Sequence, residues 1–288
     1  MKHHFLITLG EDVSAFHGVR FVSSFLRNKQ NVDLTLLYIA ASPDAAGSSA
    51  PLTPFPVEKK LTGPQAEKGK AALESARKLL ELKGFAPEAI TTRLLSKHSG
   101  TVRDIAREAR KGHYDAVVLG RRGYALFERT LATSVSREMM EHRIDFPIWV
   151  CRHPEEGRRD VLLCVEDSEP CLRIADHVGF VLEKEPEHRV TLFHVDETGS
   201  ERVGEIMDHA RQQLLHNHVD EDRIREVVVR SLRVVPSILD EVERGRYAAV
   251  AVGRGGKQKK GLLEKWLIGS ISMKLLEVLD KATLWASK

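Results

Sequence analysis

The chain is one pattern written twice, and that repetition constrains its fold more than any single motif. Phe5-Leu6-Ile7-Thr8-Leu9 runs into the polar Gly10-Glu11-Asp12, and Val161-Leu162-Leu163-Cys164-Val165 runs into Glu166-Asp167-Ser168, an offset of 156. Leu34 to Ile39 matches Val190 to Val195 at the same offset of 156. Tyr114 to Gly120 matches Tyr247 to Gly253 at an offset of 133, and Pro147 to Val150 matches Thr283 to Ala286 at 136. The fall from 156 to 133 leaves a net excess of 23 residues in the first copy. Most of it lies in Ala40 to Pro64, rich in Ala, Ser, Pro and Gly, which reads as a surface loop. The rise to 136 adds three residues to the second copy after Gly256, at Lys257, Gln258, Lys259 and Lys260. Insertions confined to loops while strands stay aligned are what a duplication leaves behind.

The matched segments are short, continuous apolar runs, the pattern of strands buried on both faces. The segments between them have helical period: Gln65 to Leu82, Val102 to Lys111, Ser168 to Glu183 and Val235 to Arg244. Ser168-Glu169-Pro170 is a helix start, with Ser at the cap and Pro in the first turn. Alternating strands and helices imply parallel strands joined by right-handed crossovers. The expected architecture is α/β: two repeated domains, 1–153 and 159–288, each a five-stranded parallel sheet flanked by helices. Between them lies a polar stretch from His153 to Arg159 that contains Pro154 and Gly157.

Composition removes several alternatives. Of 288 residues, 42% are hydrophobic and 30% charged, as in ordinary globular domains. No apolar run reaches the length of about 18 that a membrane-spanning helix needs, so no membrane association is expected. Phe5 to Leu9 is too short for a secretory core segment, so a cytoplasmic location is the expectation. The 44 basic and 41 acidic residues are interleaved and leave a net charge of +3, so no nucleic-acid partner is expected. Cys151, Cys164 and Cys171 form no C-x-x-C pair, which argues against a disulfide framework or a zinc site and fits a reducing compartment. They read as buried structural thiols. No H-E-x-x-H occurs among the 13 histidines; His3 and His4 read as a frayed terminus and His194 as a structural or lining residue.

In an open parallel sheet, ligands bind beyond the carboxyl ends of the strands, at the point where strand order reverses. The first copy carries Gly120-Arg121-Arg122-Gly123 after its fourth strand, and the second carries Gly253-Arg254-Gly255-Gly256. Glycines there permit a tight turn and a close backbone approach, and N–H groups at the next helix start suit a phosphate. A plain turn explains the same residues equally well. Downstream stand Thr133-Ser134-Val135-Ser136 and Gly269-Ser270-Ile271-Ser272. Their hydroxyls serve either as phosphate donors or as helix caps.

With these motifs in view, the chain resembles a tandem universal stress protein over nearly its whole length. The resemblance implies the Rossmann-like, adenine nucleotide alpha hydrolase-like fold. It also implies a site made of an acid after the first strand, a residue ending the second strand, G-x-x-G, nine further residues, and Gly-Ser or Gly-Thr. In the second copy these fall on Glu166, Val195, Gly253, Gly256, Gly269, Ser270 and the following Ile271, although twelve residues separate Gly256 from Gly269. In the first they fall on Ile39, Gly120, Gly123 and Ser134 with the nine-residue spacing kept, but Gly10 replaces the acid and Thr133 the glycine. The second copy is therefore the better nucleotide candidate. The resemblance implies ATP, or AMP or ADP, as ligand. If ATP is bound, Glu166 or Asp167 is a place for Mg²⁺ beside its phosphates, and equally a ribose or turn contact. Lys257, Lys259, Lys260, Arg121, Arg122 and Arg129 are further phosphate candidates or plain solvated side chains.

The family pairs domains through their last strands, so the resemblance implies an internal pseudo-dimer through Ile148 to Cys151 and Thr283 to Ala286. It leaves open a further homodimer. Two functional readings stand: a stress-response sensor or regulator that binds an adenine nucleotide, or a stress protein without nucleotide that acts through protein–protein contacts. No catalytic residues are assigned. There is no G-x-S-x-G elbow and no Walker A lysine, so weak ATP hydrolysis is the most that is expected.

Overall fold

The structure is a computed structural model that describes residues 2–10, 16–41, 63–120, 134–141, 144–255 and 270–288. The first copy contains β1 (His3–Leu9), α1 (His17–Phe25), β2 (Val32–Ala40), α2 (Pro64–Leu82), β3 (Ile90–Ser96), α3 (Thr101–Gly112), β4 (Ala116–Gly120), α4 (Val135–Glu141) and β5 (Ile148–Cys151). The second contains β6 (Val161–Cys164), α5 (Glu169–Glu183), β7 (Val190–Asp196), α6 (Val203–His216), β8 (Ile224–Arg230), α7 (Val234–Gly245), β9 (Ala249–Gly253), α8 (Ser270–Val278) and β10 (Thr283–Ser287).

Within each copy the five strands are parallel, as expected. The two sheets join through their last strands, as the resemblance implied. They fuse into one ten-stranded sheet in the order β3-β2-β1-β4-β5-β10-β9-β6-β7-β8. The seam is the one antiparallel pairing in this sheet, β5 with β10, in the register Leu284 to Val150, Trp285 to Trp149 and Ala286 to Ile148.

The apolar strands follow from coverage of both faces. Alternate residues of a strand point to opposite sides. Phe5, Ile7 and Leu9 of β1 join a core with Val19 of α1, Leu73 of α2, Ile174 of α5 and Ile206 of α6. Leu6 joins the opposite core with Ile105 of α3, Met139 of α4, Ile238 of α7 and Leu275 of α8. Each core runs through both copies, so the seam lies inside shared layers.

The length difference falls where the sequence placed it. Residues 41–63 separate β2 from α2, whereas residues 197–202 separate β7 from α6, and α2 has 19 residues against 14 in α6.

The seam is aromatic. Trp149 and Trp285 stack with centroids 4.2 Å apart, and Phe21 and Phe25 of α1 pack edge-on against Trp285. His3 does not fray: it is buried, stacks on Phe180 of α5 at 4.4 Å, and its pKa falls to about 4 through desolvation. The expectation of a frayed terminus is corrected for His3, because its ring fills a gap between β1 and α5.

Arginines and a carboxylate complete the seam. Arg254 donates to the carbonyls of Met139 and Met140 in the last turn of α4 and of Ile144 beyond it. Arg152 donates to the carbonyls of Leu276 and Glu277 in α8. Positive donors at helix C-termini satisfy carbonyls that lack intrahelical partners and oppose the helix dipole. The Glu185 carboxylate, beyond α5, accepts from the backbone N–H groups of Arg27 and Asn28 beyond α1.

Candidate functional site

The chain order of the second copy defines the place to look. From β6 the chain moves outward to β7 and β8, then returns to the other side of β6 with β9. The order therefore reverses between β6 and β9, and a crevice is expected beyond their carboxyl ends. Glu166 follows β6 and Gly253 ends β9, so both border this point.

The start of α5 forms the floor between them. Ser168 caps the helix, its Oγ accepting from Cys171 N–H at 3.3 Å, and donates its hydroxyl to Glu166 Oε1 at 3.0 Å. A Cβ on Gly253 would stand 2.8 Å from Cys171 N and 2.9 Å from Pro170 C. Glycine is needed there because β9 abuts the first turn of α5, so it lets two backbones of the same chain meet. Gly255 lies against the Pro170 ring, its Cβ position 2.8 Å from Cγ. Arg254, between these glycines, is almost fully buried and serves the seam; burial lowers its pKa to about 10.

The neighbouring loops are held by polar contacts. His194 Nδ1 lies 2.8 Å from the carbonyl of Val165, which ties β7 to the residue before Glu166 and gives His194 the structural place expected of it. Asp167 accepts from Arg202 at 2.9 Å across the loops that follow β6 and β7. Asp196 Oδ1 accepts from the N–H groups of Ser200, Thr198 and Gly199, and these bonds hold its carboxyl below the usual range, Ser200 contributing most.

The other expected site residues have different fates. Val195, Ile39 and Ile271 are half-buried and pack on the core that α3, α4, α7 and α8 cover, so part of each side chain is committed to the fold. Ser134 accepts from Arg137 N–H at 3.2 Å and so caps α4. Gly120 ends β4 beside β1, and Gly10 follows β1 at the position where Glu166 follows β6. Ser270 begins α8. Gly123, Gly256 and Gly269 lie outside the described residues, as do Thr133, Lys257, Lys259, Lys260, Arg121, Arg122 and Arg129.

The thiols behave as buried structural groups. Burial pushes the Cys151 and Cys171 thiols up to about 12 and raises Cys164 as well. Cys171 Sγ faces the Cys164 carbonyl at 3.8 Å, and none of the three is in a disulfide. Among the described residues there is no cluster of metal-ligating side chains, and no helix is long and apolar enough to cross a membrane.

Fold and crevice together define a class: a tandem pair of doubly wound α/β domains with ligand-binding topology, joined edge to edge. The chain belongs to the universal stress protein family, whose model matches residues 1–152 and again 157–284. No curated protein sequence matches it. A universal stress protein from Archaeoglobus fulgidus DSM 4304 aligns at 16% identity and a TM-score of 0.71, covering 99% of this chain and 98% of that one. A protein of unknown function from Pseudomonas aeruginosa PAO1 aligns at 13% identity and a TM-score of 0.59, covering 100% and 92%. At these identities the likeness shows the fold. A half-length universal stress protein from Archaeoglobus fulgidus, in complex with dAMP, aligns at 13% identity and a TM-score of 0.35, covering 53% of this chain and 98% of that one.

Proposed function

We propose that the second copy binds an adenine nucleotide, ATP or its relatives AMP and ADP, beside Glu166 and Gly253, and that the protein is a cytoplasmic stress-response sensor or regulator. One observation carries this reading. A carboxylate, Glu166, stands at the topological switch point of the second copy, at the position that Gly10 takes in the first. Carboxylates accept hydrogen bonds from ribose hydroxyls, and the turn after Gly253 leads to the glycine and serine that the family's motif assigns to phosphate. Mg²⁺ would enter with the phosphates of ATP, near Asp167. Three free thiols, Cys151 and Cys171 buried and Cys164 half-buried, fit a reducing compartment.

Calorimetric titration with ATP and with AMP tests the reading. Wild type should give a saturable heat with at least one of them, and Glu166→Ala should weaken it about tenfold, near the loss of one charge-assisted hydrogen bond. Absence of heat with both nucleotides sinks it.

A second reading has its own observation. Glu166 already takes the Ser168 hydroxyl, Asp167 holds Arg202, and Gly253 and Gly255 face Pro170. A crevice whose groups partner one another suits a domain that works by protein–protein contact. Capture of a partner that ignores added nucleotide, together with silent titrations, supports this alternative.

A further inference from the structure

One end of the ten-stranded sheet is β8, Ile224-Arg225-Glu226-Val227-Val228-Val229-Arg230, and no described strand pairs with its outer side. An exposed edge of this kind is usually blunted by proline, a bulge, lysine or short length. β8 has no proline or lysine, runs for seven residues, and pairs with β7 in unbroken register from Ile224 to Arg230; its charges are of both signs, Arg225, Glu226 and Arg230, so they guard the edge against some partners and not against a complementary one. Val228 is 49% exposed on it, and Leu232, just beyond, is 81% exposed. The opposite edge, β3, carries Thr91, Thr92 and Arg93 instead.

Hydrogen-bond direction fixes which groups look outward. Ser231 N–H donates inward to the Asp196 carbonyl of β7. Alternate residues of a strand in a parallel pair direct both backbone groups to the same side. Odd-numbered residues of β8 therefore face β7, and Ile224, Glu226, Val228 and Arg230 offer N–H and C=O to the outside.

We propose that β8 pairs antiparallel with β8 of a second copy of this chain, about a two-fold axis through Val228. This register sets Val228 against itself, Val227 against Val229, and Glu226 against Arg230 on both sides of the axis. Each opposed pair of outward residues exchanges two backbone bonds, the pattern of an antiparallel ladder. Glu226 and Arg230 lie on the same sheet face as Val228, so each opposed pair brings unlike charges together, which favours pairing. Glu226 Oε1 takes Arg211 of α6 within its own chain, and the rest of its carboxylate can accept the copy's Arg230. Moving the axis to Glu226 would oppose like charges, and moving it to Val227 or Val229 would set Glu226 or Arg230 against an apolar residue. The charge pattern thus selects a copy of this strand as the occupant, and one register for it. Isologous two-fold contact is also the commonest form of self-association. The product would be a continuous twenty-stranded sheet across two chains.

The test is the mass in solution of the full chain, by sedimentation velocity and light scattering across a dilution series. Wild type should show a concentration-dependent dimer. Val228→Pro should abolish it without removing an intrachain ladder bond, because the N–H at 228 points outward. Arg230→Glu alone and Glu226→Arg alone should each be monomeric, since each opposes like charges. Mixed in equal amounts, these two should restore a dimer, because every cross-strand pair then has opposite sign. If Val228→Pro fails to fold, the charge-swapped mixture still decides. Monomeric wild type at every concentration, or a mixture that stays monomeric, overturns the proposal. Neither result depends on whether the crevice takes a nucleotide.

Discussion

Trp149 and Trp285 occupy equivalent positions in the two copies and stack almost parallel, 4.2 Å between centroids and 4° between planes, yet their indole N–H groups have different fates. Trp149 Nε1 donates to His177 Nε2 at 3.0 Å. Trp285 Nε1 is buried with no hydrogen-bond partner among the described residues. The reason is one substitution between copies: at the repeat offset of 156, His177 of α5 corresponds to Phe21 of α1. The seam is symmetric in backbone and asymmetric in polarity.

His177→Phe should therefore destabilise the fold by about 1–3 kcal/mol, the usual cost of leaving a buried donor unpaired. Thermal and chemical unfolding of the full chain measure this. An unchanged midpoint would show that the Trp149 bond contributes nothing.

Acid should loosen the seam. Desolvation lowers His177 to about 3 and His3 to about 4, and it also lowers His188, whose ring stacks on Phe25 at 4.2 Å. All three are harder to protonate in the folded chain than in the unfolded chain, where histidine protonates near pH 6.5. A lowered histidine pKa contributes stability that is complete above about 6.5 and is lost as pH falls toward the folded values near 3 to 4. Burial raises Glu185, which opposes this trend because its protonation favours the folded chain as pH falls. The unfolding free energy should thus decline from pH 7 to pH 4, and more gently in His177→Phe. A flat profile over that range would contradict the assignment.

Arg254→Ala should cost roughly 2–4 kcal/mol, because three seam carbonyls lose their buried donor and a stem-sized gap opens. Arg254→Lys should recover part of the loss, since an ammonium reaches fewer carbonyls than the planar fork. If Arg254 instead grips phosphate, Arg254→Ala would lower nucleotide heat while leaving the unfolding midpoint in place.

Gly253→Ala should destabilise by about 1–3 kcal/mol, as the new methyl meets backbone atoms of Pro170 and Cys171 that cannot rotate away. Gly255→Ala should cost less, because it meets the outer edge of the Pro170 ring. Differential scanning calorimetry of both variants separates the two positions.

Much of this molecule is written in local pattern. Continuous apolar runs such as Ala116 to Leu119 signal strands covered on both faces, and Ser168-Glu169-Pro170 marks the start of α5 as the structure has it. The doubled pattern shows that the same unit occurs twice, and its offsets place the long insertion between β2 and α2. These features are legible because propensity, capping and periodicity act over a few residues.

Other features depend on residues that only the fold brings together. Arg254 reads as part of a glycine turn, and it is the α4 carbonyls, more than a hundred positions earlier, that make it a seam residue. His3 reads as terminus until Phe180 is beside it. The motif named Gly253 for a ligand, but the atoms that demand a glycine there belong to α5. The sequence by itself determined two copies of a parallel α/β unit and the positions of their carboxyl-edge loops. The seam through the last strands is what the family resemblance implied, but its Trp149–Trp285 register, the shared cores and the absence of a partner for the outer side of β8 among the described residues were decided by tertiary structure, because strand pairing and burial couple residues across distances that local pattern does not record.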